Sequence, residues 1–216
     1  AISPHIEKKD LIFSTEIGLL SQENEKYDFI VTNPPWGSKL TKNEKDFLLH
    51  NYPILNTTEV FSIALYNSIQ KLSEKGALNF FLPESILNVS THKNIRKFLL
   101  SSHRNIEIIP LGTAFKGVQS ECVLLKLSEI TKAENSIIVE KNTRYSLNKK
   151  NISAPYYFIS YNISENDDKI LNKIYSTHSV KLSANTKFAL GIVTGNNKKH
   201  VHKTKGENEE AVFRGK

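Results

Sequence analysis

Methionine is absent from the 216 residues, and cysteine occurs once, as Cys122. A single thiol excludes an internal disulfide framework and any multi-cysteine zinc site. No apolar run approaches the ~18 residues needed to cross a bilayer, and the start lacks the charged-then-apolar pattern of a signal peptide. The expected setting is therefore intracellular. The nine glycines include no Gly-x-Gly pair, so no glycine-rich phosphate or dinucleotide turn is expected here. Without a methionine at its start, the chain is expected to begin inside a longer gene product.

What is present is the composition of an ordinary globular chain, 39% hydrophobic and 24% charged. The length suits one domain and part of another. The net charge of +7 is unevenly placed: residues 1–180 carry 21 basic and 19 acidic groups, whereas residues 181–216 carry 8 and 3. A basic end of this kind suits a phosphate-facing surface or a solvated lysine-rich tail, and composition does not choose between them.

Strand and helix signals alternate through the first half. Tyr27 to Thr32 is a short apolar run ended by Asn33-Pro34-Pro35, the pattern of a buried strand entering a loop. Thr58 to Lys75 spaces Phe61, Leu65, Ile69 and Leu72 as a helix face, with Gly76 as its stop. Ala77–Leu82, Ile106–Ile109 and Cys122–Leu125 read as strands, and Thr91–Ser102 as a helix. This order predicts a mostly parallel α/β sheet covered on both faces, ending in an antiparallel pair. Residues 129–153 are polar and lysine-rich apart from a strand candidate at Ser136–Glu140. Beyond them lie a helix candidate at Asp167–Tyr175 and a strand candidate at Phe188–Val193, with a second unit expected from about residue 180.

Asn33-Pro34-Pro35-Trp36 is the stretch that carries chemistry. The loop at the carboxyl end of a strand is where α/β sheets bind ligands. Two prolines fix the backbone and remove two N–H donors, leaving a ridge of carbonyl acceptors. The residue before a proline is held extended, which gives the Asn33 side chain a direction. With Trp36 beside it, such a ridge suits a planar molecule bearing an exocyclic –NH2 group. The same four residues also suit a tight structural turn around a partly buried tryptophan.

The tetrapeptide resembles the catalytic motif of the amino-methyltransferases that methylate adenine in DNA. Phe81–Asn88, Arg96–Leu100 and Gly112–Gln119 are similar to successive segments of the gamma-ordered adenine-N6 branch, which includes restriction–modification enzymes. Gly191–Asn197 and Phe213–Lys216 resemble the opening of the branch's target-recognition domain. The resemblance implies a partial Rossmann-like class I methyltransferase sheet, mostly parallel with its last strand antiparallel. Residues 1–128 would form the catalytic half, 129–180 a peripheral connection and 181–216 the start of a DNA-specificity domain. It also implies S-adenosyl-L-methionine as cofactor, double-stranded DNA as partner, no metal, and a cytoplasmic, nucleoid-associated protein of a bacterium or archaeon.

By the same resemblance, the Asn33 side-chain carbonyl and the Pro34 backbone carbonyl accept both hydrogens of the adenine amine, and Pro35 completes the rigid turn. Trp36 and Phe115 would stack on the two faces of a base flipped out of the duplex. Asp10 matches the acidic residue that contacts the cofactor's adenine. The residues themselves leave Asp10 open as a turn or cap residue and Phe115 as a loop aromatic folded onto the sheet. Lys198, Lys199, Lys203 and Lys205 are expected near phosphates.

The family's glycine-rich cofactor turn has no counterpart, and in this branch it lies upstream of the catalytic motif. The chain alone is therefore expected to be incomplete, with an upstream region or a second polypeptide completing the sheet and the cofactor site. The readings left open are a non-catalytic DNA-binding or assembly subunit with this fold, an RNA or protein amino-methyltransferase, and an unrelated α/β domain with a structural Pro-Pro turn.

Overall fold

The computed structural model describes residues 12–13, 26–114, 120–130, 136–140, 144–177, 180, 182–187, 200–204 and 206–207. It divides into two units, Ala1–Thr177 and His178–Lys216. The first unit is built on strands β1 (Tyr27–Thr32), β2 (Leu72–Pro83), β3 (Arg104–Gly112), β4 (Cys122–Ile130), β5 (Ser136–Glu140) and β6 (Arg144–Asn148). They form one six-stranded sheet in the order β1-β2-β4-β3-β5-β6. β1 is parallel to β2, β4 runs antiparallel between β2 and β3, β5 is parallel to β3, and β6 is antiparallel to β5. Four of the six strands thus share one direction, the mostly parallel α/β sheet expected from the sequence.

Period-two alternation sets the core face. Leu78, Phe80 and Leu82 of β2 are buried and lie beside Leu127, Leu125 and Val123 of β4. Ile106 and Ile108 of β3 continue the layer to Ile137 and Val139 of β5 and Leu147 of β6. Each such side chain contributes about 1.5–3 kcal/mol relative to an exposed one. Helices α2 (Val60–Lys71) and α4 (Lys93–Ser101) add Phe61, Ile63, Leu65, Ile95 and Leu99 to the same cluster. The expectation of two covered faces is corrected among the described residues. On the opposite face Asn79, Phe81, Ile109, Leu124 and Lys126 are only half-buried, and Lys126 pairs across strands with Glu107 at 2.8 Å.

Other differences have local causes. The helix read as Thr58–Lys75 stops at Lys71, because Leu72 turns extended and enters β2 opposite Tyr27. Gly76 is a strand residue rather than a helix stop: a Cβ there would lie 2.9 Å from the Tyr27 carbonyl oxygen. α1 (Lys42–Asn51) has a weak apolar face and was not expected, although Thr41 and Glu44 form a capping box at its start. The short α3 (Ser85–Asn88) follows β2. α5 (Glu165–Ser176) matches the expected helix, with Ser164 and Asp167 as its capping box. Residues 129–180 do more than connect, since they supply β5, β6, α5 and the buried Ile159 and Tyr161 to the first unit. The strand expected at Phe188–Val193 lies outside the described residues.

Candidate active site at the carboxyl edge of the sheet

Parallel β1, β2 and β3 end on one edge, so Asn33, Glu84 and Thr113 all leave the sheet there, with the start of β4 between the last two. The register tightens this edge: Pro83 and Gly112 both pair with Cys122 at the start of β4. Cys122 is buried, as expected of a strand residue, and its Sγ–H donates to the Gly112 carbonyl at 3.3 Å.

Within the Asn33-Pro34-Pro35-Trp36 turn, Asn33 and Pro35 are exposed, Pro34 is buried and Trp36 is half-buried against the core. Gly37 closes the turn at φ +62, a left-handed conformation that a side chain disfavours. A rigid turn is the outcome of two fixed proline torsions followed by one permissive glycine.

The turn opens into a cleft of about 980 Å³. Its walls are β1 (Phe29 to Thr32), the turn residues Asn33, Pro34 and Pro35, and one face of α2. That volume lies at the upper end of ordinary ligand sites, ~300–1,000 Å³. The structure therefore brings Asn33, Pro34 and Pro35 together on one cleft, whereas Trp36 packs behind it. Asp10, Phe115, Lys198, Lys199 and Lys205 lie outside the described residues, and Lys203 is exposed in the second unit.

Sequence reasoning missed the α2 wall. Val60, Ala64, Asn67, Ser68 and Lys71 share one helical face and line the cleft with small or polar groups. The signal was present as an interruption of an otherwise apolar helix. Asn67 is fixed by donating its Nδ2 hydrogen to the Tyr52 hydroxyl at 3.0 Å.

β1 is the terminal strand of the described sheet, and its residues are unusually open, with Phe29 81% and Val31 71% exposed. Among the described residues, β1 thus presents an apolar edge.

Glu84, beside the Asn33 turn on the neighbouring strand, is anchored on every side. Its N–H donates to the Glu121 carbonyl at 2.9 Å, and Asn88 Nδ2 donates to its carboxylate at 3.4 Å. The Tyr161 phenol is hydrogen-bonded to the same carboxylate; burial, reinforced by Glu84, pushes that phenol up to about 12. Tyr145 in turn donates its hydroxyl hydrogen to the Tyr161 carbonyl. This chain of contacts fixes the ends of β2 and β4 without placing an ionisable group in the cleft.

The family profile described as Eco57I restriction-modification methylase matches residues 2–116, more than half of the chain. The Type II methyltransferase M.VspI of Vibrio sp. (strain 343) is 30% identical over 198 residues, covering 90% of this chain and 47% of that protein. The Type II restriction enzyme and methyltransferase RM.Eco57I of Escherichia coli is 27% identical over 225 residues, 95% of this chain and 22% of its own length. The chain thus spans about half or less of these relatives. Among solved structures, a putative class I S-adenosylmethionine-dependent methyltransferase from Listeria monocytogenes aligns over 74% of this chain and 45% of its own, at TM-score 0.45 and 15% identity.

Proposed function

The chain belongs to the Eco57I restriction-modification methylase family, and from that premise we propose that it carries the catalytic half of a DNA adenine-N6 methyltransferase. The observation that carries this reading is the position of Asn33 and Pro34, exposed acceptor and rigid neighbour, at the carboxyl end of β1 on the mouth of the cleft.

Adenine's amino lone pair is delocalised into its ring, which makes the nitrogen a poor nucleophile. Accepting one amino hydrogen at the Asn33 side-chain carbonyl and the other at the Pro34 backbone carbonyl favours a pyramidal nitrogen. The two acceptors also stabilise the positive charge that develops as the nitrogen attacks. No side chain has to remove a proton before methyl transfer, which agrees with a cleft that no carboxylate or imidazole lines among the described residues. The proton leaves afterwards, to solvent.

S-adenosylmethionine, when bound, supplies the methyl group on an electron-poor sulfonium. The apolar wall of Phe29, Val31 and Pro35 would suit its adenine ring, and about 980 Å³ leaves room for a base beside it. Asp10 is assigned to the cofactor's adenine amine. Phe115 is assigned to one face of the target base, which must leave the duplex to reach the turn at a cost of a few kcal/mol, and Trp36, packed behind the cleft, to holding that turn in shape. Residues 181–216 are assigned to the opening of a DNA-recognition domain whose lysines meet phosphates.

The test is methyl transfer from labelled S-adenosylmethionine to duplex DNA by this chain together with any sequence that flanks it in its gene. The label is expected in N6-methyladenine after digestion to nucleosides. Label in cytosine, in RNA only, or in protein only would overturn the assignment.

A further inference from the structure

A second depression lies on the same edge, outside the catalytic cleft. It is a groove of about 500 Å³ between the loop that enters α2 and the turn that enters α4. Both helices start at the carboxyl edge: α4 follows β2 past Glu84, and α2 runs back to meet the opposite end of β2 at Leu72. The groove is lined by Thr58, Ser90, Thr91, Lys93, Glu59 and Tyr156, a set of hydroxyls, one ammonium, one carboxylate and one aromatic ring.

Tyr156 is the unusual member. It is 45% exposed and stacks on Phe158, itself 42% exposed, with ring centroids 5.1 Å apart and planes 6° apart. The pair is not loose. Arg96, buried beneath it, donates from Nε and Nη2 to the Tyr156 carbonyl at 3.0 and 2.6 Å. The Arg96 guanidinium also lies 5.2 Å from the Phe158 ring centroid. A backbone pinned by a buried guanidinium therefore holds two flat rings open to solvent at the rim of a polar groove.

An exposed, pre-positioned aromatic face beside a cation and hydroxyl donors matches the chemistry of a nucleotide. A base stacks on the ring, and its phosphate meets the ammonium and hydroxyls. We propose that this groove holds one unpaired nucleotide of the DNA strand, its base on Tyr156 and its phosphate against Lys93, Ser90 and Thr91. Glu59, in the same lining, is assigned to the base, since a carboxylate accepts from an exocyclic amine and would repel a phosphate. The inference rests on the reading of DNA as substrate and adds a strand-holding subsite apart from Asn33.

Two measurements test it on the whole protein. In the first, single-stranded DNA carrying 5-iodouracil is photo-crosslinked to the wild-type protein and the adduct mapped by mass spectrometry. The crosslink is expected at Tyr156. In the second, binding is titrated against salt. Tyr156→Leu is expected to weaken binding about tenfold, Tyr156→Phe to retain it, and Lys93→Gln to lower the salt slope by about one. DNA bound with wild-type affinity by Tyr156→Leu and Lys93→Gln, with crosslinks elsewhere, overturns the groove and leaves the methyltransferase reading intact. No DNA binding by the wild-type protein overturns both. An RNA strand that crosslinks to Tyr156 in preference to DNA overturns the choice of partner.

Discussion

Arg96 and Tyr156 stand 60 positions apart in sequence, yet the guanidinium of one grips the backbone carbonyl of the other through two hydrogen bonds, at 3.0 and 2.6 Å. Its third nitrogen donates to the carbonyls of Ile86 and Val89 at 2.6 and 2.8 Å. One side chain, 1% exposed, thus joins the end of α3 to the segment that crosses it. Burial pushes the guanidinium down to about 10, so it stays charged at neutral pH.

Replacing Arg96 by methionine keeps most of the volume and takes the guanidinium from the carbonyls of Ile86, Val89 and Tyr156, of which that of Val89 also accepts from the His92 N–H at 3.1 Å. The expected loss is about 3–5 kcal/mol of unfolding free energy, comparable to breaking a buried ionic contact. Arg96→Lys, which keeps the charge but loses the planar fork, is expected to recover only part of it. Urea unfolding midpoints of the three proteins are the check, and equal midpoints would remove Arg96 from the account of stability.

His92 gives the fold a pH dependence of known sign. Its imidazole is buried, and burial first, with the Arg96 charge second, holds its pKa down to about 4. In the unfolded chain the same group titrates near ~6.5. As pH falls from there towards 4, the unfolded state takes up a proton that the folded state refuses, and stability drops. His92→Phe, placed beside Phe61, is expected to lose less stability than wild type between pH 7 and 5. Parallel pH profiles for the two proteins would contradict this.

The open strand β1 predicts self-association. Phe29 and Val31 are exposed on a terminal strand whose outer main-chain groups have no strand beside them among the described residues. Phe29→Lys together with Val31→Lys should make the chain more monodisperse in sedimentation velocity, at little cost in stability because both side chains are already solvated. An unchanged association constant would place the contact elsewhere.

The lysines of the second unit are expected to act on affinity without reading sequence. Neutralising Lys198 and Lys199 together should lower the slope of log affinity against log salt by about two, leaving preference among DNA sequences unchanged. An unchanged slope would return residues 181–216 to a solvated tail.

The order of strands and helices was legible because apolar period and turn residues agree over most of residues 27–127. The Asn33 turn was legible because its prolines dictate backbone shape locally. Spatial neighbours were not: nothing local says that β4 inserts between β2 and β3, since that follows from pairing Phe80 with Leu125 and Ile108 with the same residue. The end of α2 was misread because Leu72 continues the helical spacing while its backbone answers to Tyr27 across the sheet. β6 was hidden in a polar segment because only Leu147 of its described side chains is buried. The Arg96 clamp could not be read, because its acceptors are main-chain carbonyls that no sequence pattern marks.

The most direct test of the central claim is the single-turnover rate of adenine methylation by Asn33→Ala beside wild type, in the chain with any flanking sequence of its gene. Asn33 is exposed on a loop, so the variant should unfold at the wild-type midpoint. Removing one of two acceptors from the target amine is expected to cost about 2–4 kcal/mol of transition-state stabilisation, a rate lower by roughly 30- to 1,000-fold. A folded Asn33→Ala protein that methylates adenine at the wild-type rate would contradict the account.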